Sequence, residues 1–364
     1  MKRHLPAAVT DEQAAPRRMV RVHPPIGLSL LFRPIGKSAS RPKLDVRYRL
    51  SAETCLRFSA REALGVPEQT LLLVLLELAA EQYVRRPLEV LMDGTDRSEV
   101  GRTLWESLHG KGGAELTGSS ESLRLSCSWR ELNRRCGSGG VGALIQGRRE
   151  SLRRLCEVVI WEEEASRRNT RQRALVSWMV GDDQRVHVAL NHRLAAALTG
   201  GQYAQVLLSE RFALRSDTAM AVHAFLSTCV RAGRLLKIAP TTLASRLWPD
   251  ADSSVPDGTR RRRLGDVHRA LVGIGGLPNW TVEWSGHNAH VKRHGSAVRE
   301  MTQGAVSEER PRTAPAAEPV RETTQLCRIT DESASWFEPE PVEKCLPDNH
   351  LPRNDAAGLF ITTV

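Results

Sequence analysis

The sequence predicts an α+β fold with two winged helix-turn-helix domains in tandem. Three observations favour this class. Apolar periodicities follow the order helix, turn, helix, hairpin; the same order occurs again about a hundred residues later; and two long flanking segments have no periodic apolar pattern. We expect a disordered basic arm over residues 1–43, a first winged-helix domain over 44–185, a second over 186–294, and a disordered, acidic, proline-rich tail over 295–364.

The charge distribution follows the same division. The chain has 364 residues, of which 41% are apolar, and this is enough to form buried cores. Its 52 Lys and Arg against 42 Asp and Glu give a net charge of +10, so a polyanion is the first partner to consider. The arm carries nine basic and two acidic groups, whereas the tail carries seven and twelve. The positive charge therefore lies in the arm and the two domains.

The first predicted domain begins with a strand and a long helix. Apolar residues alternate with charged ones over 44–50, as in a half-buried strand, and residues 56–59 could form its hairpin partner. The apolar run that follows predicts a buried helix over about 68–84. Residues 93–118 are rich in Gly, Ser and charge, and we expect a long loop there.

A helix-turn-helix is predicted next. Ser128 and Glu131 have capping-box spacing and predict a short helix from Trp129. The glycine-rich residues 137–142 can turn the chain into a second amphipathic helix. Two β-rich runs, 158–161 and 174–180, then predict a hairpin with a basic tip.

The second domain repeats this order. Strand-like segments at 186–190 and 205–208 precede a helix predicted over about 218–231. Thr241 and Thr242 could cap a short helix, which Pro249 closes. A longer helix is predicted from Thr259, with an apolar face made of Leu264, Val267, Leu271 and Ile274. Residues 280–284 and 289–292 then predict a hairpin that turns at Ser285-Gly286.

Basic residues at the start of the longer helix are the main candidates for binding DNA. Arg262 and Arg269 point away from its apolar face, so they could contact guanine edges or phosphates from the major groove. The alternative is a solvated charged face. In the first domain Glu150 and Glu157 could form surface salt bridges with neighbouring arginines. The alternative roles for those arginines are phosphate contacts or a dimer interface. The full set of candidate DNA-binding residues is Arg260, Arg261, Arg262, Arg263, Arg269, Arg148, Arg149, Arg153, Lys292 and Arg293.

The chain lacks the patterns that catalysis or cofactor binding would need. Residues 137–142 spell G-x-G-x-x-G, but a capped polar helix precedes them where a dinucleotide fingerprint needs a strand. His287, His290 and His294 have no fourth ligand of matching spacing. We therefore predict no metal, no cofactor and no enzymatic activity.

We also expect a cytoplasmic protein. The most apolar run, 71–80, is ten residues long and is interrupted by Glu77, whereas a membrane-spanning helix needs about 20 residues. The N-terminal stretch is charged where a secretory signal would be apolar. The seven cysteines contain no C-x-x-C pair, which is typical of reduced thiols.

Several short motifs, taken in their order along the chain, resemble replication protein C of IncQ-type plasmids. These motifs are Lys43-Leu44-Asp45-Val46, Val186-His187-Val188-Ala189-Leu190-Asn191, Gly200-Gly201-Gln202, Leu247-Trp248-Pro249 and Trp280-Thr281-Val282. The resemblance covers residues 43–294 and is strongest over 186–284.

The resemblance implies two winged-helix domains and a plasmid replication initiator. Such an initiator binds tandem direct repeats, the iterons, in the double-stranded DNA of an origin of replication and helps to open the adjacent duplex. It also implies a plasmid-encoded helicase and primase as partners. We further expect a homodimer in which the second domain reads base edges through Arg261, Arg262 and Arg269, while the first domain assists through backbone contacts and self-association.

Two other functions remain open from the residues alone. A transcriptional repressor of the same architecture would bind one inverted repeat, whereas an initiator would protect several direct repeats in phase. An enzyme acting on DNA would show metal-dependent strand cleavage.

Overall fold

The computed structural model describes residues 18–36, 40–92, 98–109, 121–137, 142–164, 171–249 and 255–295. All of these residues belong to one unit of the chain, Met1–Met301. The predicted disorder of the tail after residue 295 and of residues 1–17 falls outside the described residues, as do the predicted basic hairpin tip at 165–170 and most of the glycine-rich turn.

In chain order, the helices of the described ranges are α1 (Pro24–Leu28), α2 (Val66–Arg85), α3 (Pro87–Val90), α4 (Glu99–His109), α5 (Trp129–Arg135), α6 (Gly142–Cys156), α7 (His192–Thr199), α8 (Leu208–Ala213), α9 (Asp217–Cys229), α10 (Pro240–Leu247) and α11 (Asp257–Gly275).

The strands are β1 (Met19–Val22), β2 (Phe32–Arg33), β3 (Leu44–Arg49), β4 (Thr54–Ala60), β5 (Leu64–Gly65), β6 (Leu91–Met92), β7 (Ser122–Cys127), β8 (Val159–Glu164), β9 (Arg171–Ala174), β10 (Val176–Val180), β11 (Val186–Leu190), β12 (Ala204–Leu207), β13 (Leu235–Ile238), β14 (Trp280–Ser285) and β15 (Asn288–Arg293).

Helix α2 is the centre of the first hydrophobic core. Its residues 71–76 are all buried, because β1, β7 and α6 pack around it on several sides. An apolar run without a polar face predicts such an enclosed helix. The helix predicted over 68–84 is confirmed, but its burial ends at Ala79, and Val84 is 77% exposed. Two four-stranded sheets, β3-β4-β8-β9 and β10-β11-β7-β6, complete this part.

The second hydrophobic core lies between helices α9, α10 and α11 and the sheet β13-β15-β14. Leu236, Val291 and Val282 stand side by side across this sheet and face the helices. Val66 at the start of α2 also packs into this core, and thus joins the two parts of the unit.

The two parts share one order of elements. The second part has α9, β13, α10, α11, β14 and β15 in succession. The first part has α2, β7, α5, α6, β10 and β11 in the same order, with α3, β6 and α4 inserted after α2 and β8 and β9 inserted after α6. In the first sheet β11 lies between β7 and β10, and in the second sheet β15 lies between β13 and β14. These strands of the two sheets are therefore ordered alike, although the hairpin of the first part is not the one that the sequence pattern predicts.

The strands of the first hairpin differ from the prediction. Strand β8 forms a hairpin with β9 in which Val159 pairs with Ala174, but residues 176–180 do not join it, and β4 pairs with the other edge of β8. Strand β10 pairs instead with β11. Residues 186–190, which the sequence placed in the second domain, therefore belong to a sheet of the first core.

The prediction of disorder over residues 1–43 is wrong for the described part of that segment. Val20 pairs with Val206 across the antiparallel strands β1 and β12, and Ile26 and Phe32 are buried. A Cβ on Gly27 would lie 2.4 Å from Oγ1 of Thr228, so α1 approaches α9 closely. The apolar residues of this segment occur in short groups between prolines and show no helix or strand periodicity. They are buried only by contacts with distant parts of the folded chain.

The predicted loop over 93–118 contains a helix instead. Helix α4 buries Leu104 and Leu108 against β10 and β11. Val100, Leu104 and Leu108 are four residues apart, and this spacing places them on one helical face. The high content of Gly, Ser and charge around them hid this signal.

Candidate nucleic-acid interface

Helix α11 presents a basic surface because its opposite side is buried. Val267, Leu271 and Ile274 are buried in the second core, as the apolar period predicts. At 100° per residue, the outward side then holds Arg261 and Arg262 in the first turns and Arg269 two turns later. The predicted helix from Thr259 is confirmed, although it begins at Asp257.

Arg261 and Arg262 are the most available cations of this helix. Both side chains are exposed. Among the described residues, no carboxylate lies within 4.0 Å of either guanidinium group. Within the described ranges, an anion could therefore meet either side chain without first breaking an ion pair.

Two further arginines of α11 have carboxylate neighbours on the same helix. Arg269 pairs with Asp266, three residues earlier, and Arg260 has Asp257 at 3.9 Å. Both arginines remain exposed. Exposed pairs of this kind contribute only about 0.2–1 kcal/mol, so a phosphate could compete for either arginine.

Arg263 has a different position from its neighbours in the run. Its guanidinium carbon lies 5.2 Å from the centre of the Trp248 ring, directly after α10. The side chain is only half-exposed, because it is on the core side of α11. Arg263 therefore contributes to the packing of α10 on α11, and it is less accessible than Arg261.

Lys292 and Arg293 are adjacent on β15 but point to opposite faces of the sheet. Lys292 is exposed, whereas Arg293 is 6% exposed. Arg293 Nη1 donates to the carbonyl oxygens of Gln205, at 2.9 Å, and Ser227, at 3.2 Å. Arg293 is therefore poorly placed for the DNA contact that the sequence predicts, since it is buried and its Nη1 is bound inside the protein.

An aromatic pair that no sequence pattern predicts joins α11 to the hairpin. The imidazole of His268 stacks on the indole of Trp284, with ring centres 4.4 Å apart and planes 16° from parallel. Trp284 is the residue before the β14–β15 turn at Ser285-Gly286. The stack therefore fixes the tip of the hairpin beside the middle of α11.

The corresponding helix of the first part, α6, has its arginines engaged by carboxylates. Arg153 pairs with Glu150 and Glu157, as the sequence predicted, and Arg154 pairs with Glu62 at 2.7 Å. Glu68, which is fully buried, accepts a further hydrogen bond from Arg154 Nη1 at 3.2 Å.

The other two candidates of α6 also have contacts within the protein. Arg149 lies over the ring of Trp129 at 5.2 Å, and Arg148 has an interaction of its own. Two of the four arginines of α6 are therefore paired with carboxylates, whereas Arg148 and Arg149 retain their charge.

A buried carboxylate holds the hairpin in place from the inside. Glu210 of α8 accepts hydrogen bonds from His223 Nε2 at 2.9 Å, Trp280 Nε1 at 2.9 Å and Asn279 Nδ2 at 2.6 Å. Burial opposes ionisation of Glu210, but these three donors outweigh it and lower the pKa of the carboxyl group below its ordinary value. Burial also lowers the pKa of His223, so that neutral imidazole donates this bond.

Two observations bear on other kinds of site. Within the described ranges, no group of three or more His, Cys, Asp or Glu side chains is arranged to hold a metal ion. None of the described helices combines the length and the apolar character that crossing a bilayer requires.

Comparison with known proteins gives one family. The sequence profile of Replication protein C (RepC) matches residues 20–293. A comparison with curated proteins finds no match.

Two solved structures of RctB domains 2 and 3 are similar to this chain at low identity. One, a selenomethionine derivative, has a TM-score of 0.44 and 8% identity, and the match covers 76% of this chain and all of that one. The other has a TM-score of 0.42 and 9% identity, and the match covers 74% of this chain and 95% of that one.

Proposed function

The chain belongs to the replication protein C family, and we propose that it is a plasmid replication initiator that binds tandem direct repeats at the origin through α11. In this proposal the protein is not an enzyme. It strains and helps to open the adjacent duplex by binding, and a separate plasmid-encoded helicase and primase act afterwards. Membership of the family supports a role in replication, and the rest of the proposal depends on the geometry of the second part.

The element order of the second part supports a winged helix-turn-helix. Helices α9, α10 and α11 and the sheet β13-β15-β14 follow the order expected of that motif. On this interpretation α11 is the recognition helix and the β14–β15 hairpin is the wing. The stack of Trp284 on His268 would keep the two in one orientation toward DNA.

The observation that carries the proposal is the exposure of Arg261 and Arg262 without a carboxylate partner among the described residues. An arginine at the beginning of a helix in the major groove can donate two hydrogen bonds to guanine O6 and N7, which contributes about 1–3 kcal/mol of discrimination. Arg260 and Arg269 would bind phosphates, and Lys292 would do so from the hairpin.

The first part has a different role in this proposal. Because Arg153 and Arg154 of α6 are paired with carboxylates and Arg149 packs over Trp129, that helix is less suited to base readout than α11. We assign it backbone contacts and self-association, in keeping with a homodimer on the repeats.

The experiment compares two double variants of equal charge. R261A/R262A should abolish the preference for a duplex carrying the origin repeats over a random duplex. R231A/R234A is the matched control, because these arginines are also exposed but lie at the other end of the hairpin, where Gly233 N donates to Arg293 O. An unchanged preference in R261A/R262A, or an equal loss in both variants, would reject α11 as the reading element.

Footprinting distinguishes the initiator from a repressor. An initiator protects several direct repeats spaced by whole helical turns, whereas a repressor protects one inverted repeat. Titration of the gel shift with salt adds a second readout, because neutralisation of phosphates gives a steep negative slope of log affinity against log salt concentration.

A further inference from the structure

Helix α11 and the adjoining hairpin expose apolar side chains as well as arginines. Leu264 is 37% exposed, although its spacing predicts a core position, and Val272 is 55% exposed. Trp284, stacked on His268, is 40% exposed. Large apolar groups gathered on one side of a basic helix indicate a surface that becomes covered in use.

These side chains lie on one flank of the helix. Leu264, His268 and Val272 follow one another at intervals of four residues, so they form one line along α11. Arg261 lies on the same flank, three residues before Leu264. Since the rise is about 1.5 Å per residue, the line from Arg261 to Val272 is about 16 Å long, or about five base pairs of duplex.

We propose that Leu264 and the Trp284–His268 stack form an apolar surface that reads the 5-methyl groups of thymine in the major groove, beside the base contacts of Arg261. This inference rests on the proposed binding of DNA by α11. The thymine methyl is the one apolar group that the base pairs present in the major groove, and apolar side chains are its usual partners.

Charge decides between DNA and a protein as the occupant. Arg261 and Arg262 border the apolar line, and among the described residues neither has a carboxylate within 4.0 Å. A protein segment covering the line would have to neutralise both guanidinium groups, whereas the phosphates of a duplex do so on both sides of the groove. The stack also restrains the indole before binding, so little side-chain freedom is lost on association.

The experiment removes the methyl groups from the DNA. Origin repeats are prepared with deoxyuridine in place of thymidine, which deletes the 5-methyl and leaves every hydrogen-bonding group of the base. For the wild-type chain we expect about fourfold weaker binding per contacted methyl, because burying one such group contributes about 0.8 kcal/mol. L264A and W284A should bind thymine repeats more weakly and should lose most of this sensitivity to uracil.

The control is another exposed leucine of the same part. Leu235 on β13 is 61% exposed, and it lies on the sheet face opposite Leu236, which packs into the core. L235A should keep the full difference between thymine and uracil repeats. W284F is included in case W284A does not fold, since it retains an aromatic ring that can stack on His268.

The outcomes separate this inference from the proposed function. If the wild-type chain shows no preference for the repeats, the proposed function fails. If it prefers the repeats but binds uracil and thymine forms equally, the methyl-reading surface is rejected and the function stands. A change of oligomeric state in L264A with unaltered DNA binding would also reject the inference, in favour of a surface for self-association.

Discussion

Glu210 and Trp280 are joined inside the second core by a hydrogen bond of 2.9 Å from the indole Nε1 to the carboxylate Oε2. This bond connects α8 to the first residue of β14. Asn279 and His223 donate to the same carboxylate, so one buried anion fixes the start of the hairpin and its distance from α9. The position of the hairpin beside α11 therefore depends on a side chain far from the basic surface.

We expect E210Q to lower the free energy of unfolding by about 1–3 kcal/mol. An amide offers one acceptor oxygen where three donors converge, and an unpaired buried donor costs about this much. Urea denaturation at neutral pH measures the change. E283Q is the control, because Glu283 is exposed on the same strand. Equal stability of the two variants would show that the network around Glu210 contributes nothing to the fold.

The free energy of unfolding should also fall in mild acid because of two histidines. Burial, helped by Arg193, lowers the pKa of His23 to about 4. Burial and then Arg173 lower the pKa of His192 to about 3, with smaller effects from Arg193, His109 and His23. Both histidines are neutral in the folded chain at pH values where the unfolded chain, with an ordinary value near 6.5, is protonated.

The sign follows from proton uptake. Below pH 6.5 the unfolded state binds more protons than the folded state, so stability decreases as the pH falls toward 4. Each histidine contributes up to about 1.4 kcal/mol per pH unit in this range. H192Q should reduce the slope of unfolding free energy against pH, whereas H287Q, at the exposed hairpin turn, should leave it unchanged. An identical slope in H192Q would contradict the assignment.

The adjacent residues Lys292 and Arg293 should give opposite phenotypes. K292A is expected to reduce the salt slope of DNA binding by about 0.9, the effect of one lost phosphate contact, with little change in stability. R293A is expected to lower the free energy of unfolding by about 1–3 kcal/mol, since it removes buried hydrogen bonds to Gln205 and Ser227. A reduced salt slope in folded R293A would restore it as a DNA contact.

The central buried positions of the helices and strands in the second part could be predicted from sequence. The exposure of residues at the edge of each apolar face could not. The core positions Val267, Leu271 and Ile274 of α11 are as expected. Leu264 lies about 60° around the helix from Val267, at the edge of the apolar face. At such a position the exposed fraction of the side chain depends on which residues of other elements pack against it. For Arg293 a signal existed, because it has the same strand parity as the buried Val291.

Segments that order only by contact with distant residues could not be predicted from sequence. The apolar residues of β1 and α1 carry no repeat, and their partners, such as Val206 and Thr228, lie about two hundred residues away. The stack of His268 on Trp284 is of the same kind, since neither residue predicts the other. Carboxylate pairing on α6 was predictable because Glu150, Arg153 and Glu157 are close in sequence.

Gly265 provides a test of how closely the helix approaches DNA. It lies on the outward side of α11, four residues from Arg261 and from Arg269, and an added Cβ would have only Arg269 Nη1, at 3.6 Å, nearby. G265A should therefore stabilise the free protein by up to about 1 kcal/mol, because alanine favours the helix. In the groove the added methyl would meet the bases, and we expect affinity for the repeats to fall at least about fivefold, from about 1 kcal/mol of steric cost.

The matched control is Gly273, two turns later on the same helix. Its added Cβ would meet Leu214 Cδ2 at 3.9 Å, an ordinary contact, so G273A should gain helix stability and retain DNA binding. Thermal unfolding and gel shifts on both variants give the comparison. If G265A alone combines higher stability with lower affinity for DNA, the result supports binding of α11 in the major groove. Unchanged affinity in G265A, or an equal loss in both variants, would mean that this stretch of the helix does not face the bases.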